Sequence, residues 1–315
     1  MIKTLTDKQK KLSPRFRAAA KIEAVPAVAP LPSILNFQHG NAKLNRDTLI
    51  LSLPAGHTCA FAKDCRSSAD KTTGKIQDGQ YTKFRCYATT AEAIFPNIRN
   101  SRWENLEMLR AAGSAIGMAA LIEKSILGKK KIKLVRFHQS GDFINQAYFD
   151  AWLMVALQHP EFIFYGYTKA LPFVVKRLGM IPANMKIVAS RGGTHDHLIE
   201  EHGLRSVRVV YSEREAKRKW KLPIDHDDSH VWNYDKDFAI VIHGTQPAGS
   251  KASKAWYKIF KHGKGGYKSD YFGYKRKNKQ PKHNQGVAVP VVTIKPVTIK
   301  NKAGVIKIHA PKVYA

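Results

Sequence analysis

Short apolar runs, separated by polar and glycine-bearing stretches, give the middle of this chain a repeating pattern. Residues 48–53 (TLILSL), closed by Pro54 and Gly56, read as a buried strand. Residues 101–127 follow a different rule: Trp103, Leu106, Leu109, Ile116, Leu121 and Ile122 recur at helical spacing, and Gly128 with lysines behind it marks a stop. Further strand-like runs stand at 132–138, 162–168, 185–190, 207–211 and 238–243, and the intervening 144–158, 171–178 and 195–202 suit helices. Strand then helix, repeated, predicts a parallel sheet. Six strands are too few for a closed eight-stranded barrel, so the pattern predicts an α/β fold with a parallel (βα)6-type partial barrel. A doubly wound sheet would show the same local pattern, and only the strand order separates the two. Either way, functional groups collect at the carboxyl ends of the strands.

Charge adds two ends to this picture. The 315 residues hold 53 Lys and Arg against 24 Asp and Glu, a formal charge of +29. Such an excess repels itself unless a polyanion is near, which points to nucleic acid, DNA or RNA, ahead of anionic lipid or solvated tails. Residues 1–21 carry Lys3, Lys8, Lys10, Lys11, Arg15, Arg17 and Lys21 against Asp7 alone, and the Ala/Val/Pro stretch 24–32 reads as a linker. Residues 251–283 hold eleven Lys or Arg against Asp270, interleaved with Trp256, Tyr257, Phe260, Tyr267, Tyr271, Phe272 and Tyr274. Cations track phosphates and aromatic faces stack on bases. The expected organisation is a basic arm and linker over 1–46, the partial barrel over 47–245, and a basic aromatic extension over 246–315 with terminal β-strands in its last third. No apolar run reaches membrane-spanning length, and no secretory signal is evident, so a cytoplasmic protein without membrane contact is expected.

The candidate chemistry is concentrated in three cysteines, Cys59, Cys65 and Cys86, with none elsewhere. An odd, clustered set of thiols in a chain without an export signal suggests a metal rather than disulfides. Three thiolates on a [4Fe–4S] cluster leave one iron open. The rivals are zinc, with His57 completing the set, although the close ligand pairs usual in zinc sites are absent, and unliganded core thiols. Other polar groups sit where strand ends are expected: His138, Ser140, Gly141 and Asp142 after the second strand, Lys169 after the third, Gly192 and Gly193 after the fourth. His138, Ser140 and Asp142 are too close in sequence for a hydrolytic relay. They read as holders of a polar ligand or as a cap for the helix over 144–158. The group Asp225, His226, Asp227, Asp228 and His230 reads either as a divalent-metal site or as a turn with solvated charges.

A cysteine loop after the first strand, with Phe84 and Tyr87 flanking the last cysteine and Ser140-Gly141-Asp142 after the second strand, resembles the radical S-adenosylmethionine superfamily. There three cysteines hold a [4Fe–4S] cluster whose fourth iron takes the amino and carboxylate groups of S-adenosylmethionine, and a Gly-Gly-Glu turn holds the amino group. The cysteine spacing here is longer than in that superfamily. The segments LSLPAGHTC, FRCYA, RFHQSGDF, FYGYTK and IDHDDSH, between residues 51 and 230, are closer to the phage gene-product-88-like family. That resemblance implies a phage-encoded iron–sulfur relative of the radical enzymes, at work in the cytoplasm of an infected bacterial host. It leaves two readings of activity. As an enzyme the chain would use Cys59, Cys65 and Cys86 as cluster ligands, with His57 as a fourth ligand or outer donor. His138, Ser140, Gly141, Asp142 and Lys169 would then bind the cofactor's polar end. As a non-catalytic nucleic-acid-binding or host-takeover protein it would keep the cluster, or a zinc ion, as a structural element.

Overall fold

The protein is described from a computed structural model, which covers residues 34–261 except 42, 43 and 130, together with two short strands at 298–301 and 304–307. The basic arm, the linker and the aromatic residues beyond Lys261 lie outside the described residues. The chain divides into two units, Met1–Gly273 and Tyr274–Ala315. In the second, Thr298–Asn301 and Gly304–Lys307 pair as an antiparallel hairpin, β10 and β11.

The first unit is mixed α/β around a seven-stranded sheet in the order β1-β2-β5-β6-β7-β8-β9. These strands are β1 (Gln38–His39), β2 (Thr48–Ile50), β5 (Leu134–Arg136), β6 (Ile163–Thr168), β7 (Met185–Ser190), β8 (Ser206–Val210) and β9 (Phe238–Val241). Only the β1–β2 pair is antiparallel; every other pair is parallel. The six expected strands are therefore present, and they lie side by side in chain order. A doubly wound sheet reverses direction at a switch point, and no reversal occurs here. β2 and β5 are short, but Leu51 N–H bonds to the Arg136 carbonyl and Leu53 N–H to the Ser140 carbonyl, so the two chains stay paired past their strand ends.

The expected helix over 101–127 is two helices. α2 (Pro96–Ala112) stops at Gly113, whose φ of 69° closes the turn, and α3 (Ala115–Ile126) restarts with the Ser114 side chain accepting from Gly117 N–H. α1 (Tyr87–Ile94) precedes them and was not legible, because YATTAEAI holds few large apolar residues. α4 (Gln146–Gln158), α5 (Leu171–Val175), α6 (His197–Glu201), α7 (Glu213–Glu215), α8 (His230–Asn233) and α9 (Lys251–Lys261) follow in order. Asn145, not Ser140 or Asp142, caps α4, accepting from Tyr148 N–H.

One face of the sheet, with Leu49, Leu51, Val135, Phe137 and Phe164, packs against α2, α3 and α4 through Leu106, Ile122, Phe149 and Trp152. Gly166 in β6 makes room there, since a Cβ would meet the Phe137 ring at 2.5 Å. The opposite face holds Tyr165, Val188, Val207 and Phe238 under Val231 of α8. Beyond β9, Ala252 and Ile259 of α9 join Val210, Ala239 and Val241 in one apolar cluster. The extension expected from residue 246 thus begins as part of the first unit.

Candidate functional site

The chain between β2 and α1 is short of regular structure, so its shape depends on tight approaches. Gly56 has φ 72°, and a Cβ on it would stand 2.2 Å from the Ser67 carbonyl oxygen. Gly141, with φ 83°, meets the same loop: a Cβ would lie 2.6 Å from Thr58 Oγ1 and 2.7 Å from Leu53 Cβ. No side chain fits at either place without displacing backbone. The loop is tied in at its centre by the Lys63 and Asp64 amides, both donating to the Gly192 carbonyl, and a small hairpin, β3 (Ser67–Ala69) with β4 (Ile76–Asp78), carries it back.

Ser67 stands between two of the cysteines. Its Oγ accepts from Cys86 N–H at 3.1 Å and donates to the Cys65 carbonyl at 3.5 Å. On the other side of Cys86, the Gln246 side chain clamps Arg85, accepting from its N–H at 2.7 Å and donating to its carbonyl at 3.0 Å. Cys59 is placed through its neighbour, as Asp142 N–H donates to Thr58 Oγ1 at 3.4 Å. All three cysteines are free thiols with part of their surface open. Packing around the thiols is nonetheless dense: burial first, then the charges of Asp142, Cys86 and Cys65, push the Cys59 thiol well up. Burial and then Cys65 push Cys86 up, while Lys169 pulls the other way. The three thiols feel one another, and Lys169 is the cation among them.

Lys169 is buried at the end of β6, with Nζ donating to Ser190 Oγ at 2.6 Å from the end of β7. Burial alone would lower its pKa, but Cys65, Asp142, Cys59 and Cys86 outweigh it and hold the ammonium above its ordinary value. Asp142 completes the group. Its Oδ1 accepts from Thr168 Oγ1 at 2.5 Å and Phe143 N–H at 2.8 Å, and its Oδ2 from Lys169 N–H at 2.8 Å. Burial raises the Asp142 pKa despite these donors.

The remaining site residues are also engaged by their surroundings. Ser140 Oγ donates inward to Glu92 Oε1 at 3.2 Å, and Asp142 has given both oxygens to the fold. Both side chains are thus engaged within the fold, Ser140 as a donor and Asp142 as an acceptor of three hydrogen bonds. His138 is inside the aromatic core, with Nε2 3.2 Å from Tyr148 OH and its ring against Phe143. Burial, then Arg136, lower its pKa to about 3 and keep it neutral. His57 points to the hairpin: Nε2 donates to the Ala69 carbonyl at 2.9 Å and the ring packs on Trp103. It does not complete a zinc site with the thiols. Among the described residues, no three His, Cys, Asp or Glu side chains are grouped to share a single metal ion. The Gly192 and Gly193 amides, after the end of β7, both donate to the Asp196 carboxylate at 2.8 Å.

Two features escaped the sequence reading. Glu92, fully buried on α1, accepts from Arg102 at 2.6 Å and from Ala55 N–H at 2.9 Å, tying α2 and the cysteine loop together; its Oε2 has no partner among the described residues. Only a carboxylate three turns from an arginine on the next helix hinted at it. The second is the use made of Asp225 and Asp228. They are buried, with Asp228 paired to Arg136 at 2.6 Å, Tyr167 OH donating to Asp228 Oδ1 at 3.2 Å, and His230 Nδ1 3.3 Å from Asp225. Asp225 and Asp228 thus belong to an internal network on the second face of the sheet, while His226 and Asp227 are exposed.

A family model described as Gene product 88 matches residues 33–258, more than two thirds of the chain. The chain belongs to the Gene product 88 family. The match spans all six parallel strands, the three cysteines and most of α9, so the cysteine site and the sheet under it lie within the region the family shares. No curated protein and no solved structure matches the chain. Within this Gene product 88 chain no helix of the described residues is long and apolar enough to cross a membrane.

Proposed function

We propose that Cys59, Cys65 and Cys86 together bind a [4Fe–4S] cluster in a protein that works on nucleic acid. The observation carrying the first half is that the three free cysteines lie between β2 and the start of α1, at the carboxyl ends of a parallel sheet, within electrostatic reach of buried Lys169. Six parallel strands in chain order support a partial barrel with this group at its mouth. Cluster thiolates sit on different iron atoms and need not meet at one ion, and no three such side chains meet at one ion among the described residues. When bound, such a cluster supplies one-electron chemistry.

The chain's own contribution is electrostatic and positional. Burial raises the pKa of Cys59 and Cys86, so both are protonated at neutral pH before loading, and cluster uptake releases their protons and improves as pH rises. Lys169 offsets part of the cost of three thiolates. Ser67 and Gln246 fix the backbone on either side of Cys86. The bonds that Ser140 and Asp142 already make within the fold favour the cluster as a structural or redox element of a binding protein. The radical-enzyme reading keeps the sheet order and loop position in its favour, but requires other residues to hold S-adenosylmethionine.

Nucleic acid is the partner that a formal charge of +29 supports best. Electron paramagnetic resonance of the reduced protein, with and without excess S-adenosylmethionine, separates the two cluster readings. An unchanged spectrum is expected; a clear shift would establish the enzyme reading instead.

A further inference from the structure

The surface at the β9 edge of the sheet carries a second built feature, away from the thiols. Residues 213–221 run as α7 followed by a π-helical turn, Ala216–Trp220, that ends at Lys221 in the left-handed region with φ 58°. A wide turn and a left-handed lysine are both uncommon, and such strain tends to persist where a surface has a task. The result is a run of exposed cations, Arg214, Lys217, Arg218, Lys219 and Lys221, with Glu213 the one exposed acid among them. Glu215 is turned inward, accepting from Tyr211 N–H at 2.8 Å. Trp220 is the anchor: the Arg208 guanidinium lies 3.8 Å over its ring and Lys219 Nζ 4.6 Å from its centre, while Ala216 is buried beneath.

α9 lies against the same apolar cluster and presents Lys251, Lys254 and Lys258 to solvent, together with Tyr257, which is 63% exposed. The two segments meet at Tyr211, whose ring has Lys251 Nζ 5.4 Å away. None of these eight cations forms an ion pair among the described residues. Tyr211 OH also donates to the Lys83 carbonyl at 3.4 Å, and Phe84 packs on the cluster, so this face adjoins the chain leading into Cys86.

We infer that residues 214–221 and α9 form one docking face for single-stranded nucleic acid, leading toward the cysteine site. The inference rests on the nucleic-acid part of the proposed function and gives it a location. A row of unpaired cations follows a phosphate backbone without sequence preference. An exposed tyrosine among lysines offers a face to a base, which only an unpaired base can accept. Trp220 has its own faces covered by cations and acts as a support rather than as a stacking platform.

The test is fluorescence anisotropy with a labelled oligonucleotide, single-stranded and duplex, against the full-length protein over a salt series. K217A/R218A/K219A should flatten the log–log salt slope by about 2, at roughly 0.7 per lost single-strand contact. K217R/K219R should bind as the parent. Tyr257→Leu, which leaves the charge intact, should weaken single-strand binding by about 5- to 150-fold and leave duplex binding unchanged. Circular dichroism of each variant checks that the fold is kept. If the parent binds but the triple variant and Tyr257→Leu bind equally well, this face is not the site, while the nucleic-acid reading stands. Tighter binding of duplex than of single strand overturns the choice of ligand. If the parent binds neither form at low salt, the nucleic-acid reading and the inference both fail.

Discussion

Lys169 brings a positive charge to the candidate site. In the fold it is buried, bonded to Ser190, and set among three thiols and Asp142. In the cluster-free protein, alkylation rates measured against pH should give Cys86 a midpoint above the ordinary thiol range, because burial disfavours the thiolate. Lys169→Met should move that midpoint higher still, since the cation that opposes burial is gone. A downward shift would show that Lys169 does not act on the thiol. Gly141 makes the complementary case. With φ 83° and no space for a Cβ, Gly141→Ala should cost more than about 1 kcal/mol in denaturant unfolding. The thiols were legible because cysteine is rare and these three are isolated. That His138 lies in the aromatic core and that Ser140 and Asp142 bond within the fold was not legible, because residue type and position do not reveal which groups the fold itself will use.

Among the elements, the parallel strands were the most legible, and Met185–Ser190 lies where the run MKIVAS placed it. Long apolar runs buried on both faces are what parallel strands require, and they are conspicuous in sequence. α1 and the β3–β4 hairpin were not, since short elements with small or polar residues are held by neighbours rather than by their own pattern. Glu92 shows what holds α1. Its pair with Arg102 is fully enclosed, and it also receives the Ala55 amide and the Ser140 hydroxyl. Arg102→Met should therefore destabilise the protein by about 3–5 kcal/mol, by stranding a buried carboxylate. The double variant Glu92→Met with Arg102→Met should recover much of that loss in chemical denaturation. Equal destabilisation of the single and double variants would show that the pair is not what joins these elements.

For the first unit as a whole, the sheet is mostly parallel and its six parallel strands run in chain order, with the cysteine loop at their carboxyl ends. Local pattern contains no information on order, which is why sequence left it open. Charge was visible at once as a total, but its placement at the β9 edge depends on a π-helical turn that no periodicity announces. If about 6–10 phosphates are neutralised, affinity for nucleic acid should fall by about 10³–10⁵ between 50 and 200 mM salt. A salt-independent affinity would mean that the charge serves another purpose. The central claim is the cluster. Iron and acid-labile sulfide should be measured on protein purified without oxygen, alongside Cys59→Ala, Cys65→Ala and Cys86→Ala. The account predicts a brown protein with iron and sulfide in equal amounts, near four of each per chain, and loss of both in every variant. A colourless, folded parent that carries zinc, or no metal at all, would contradict it.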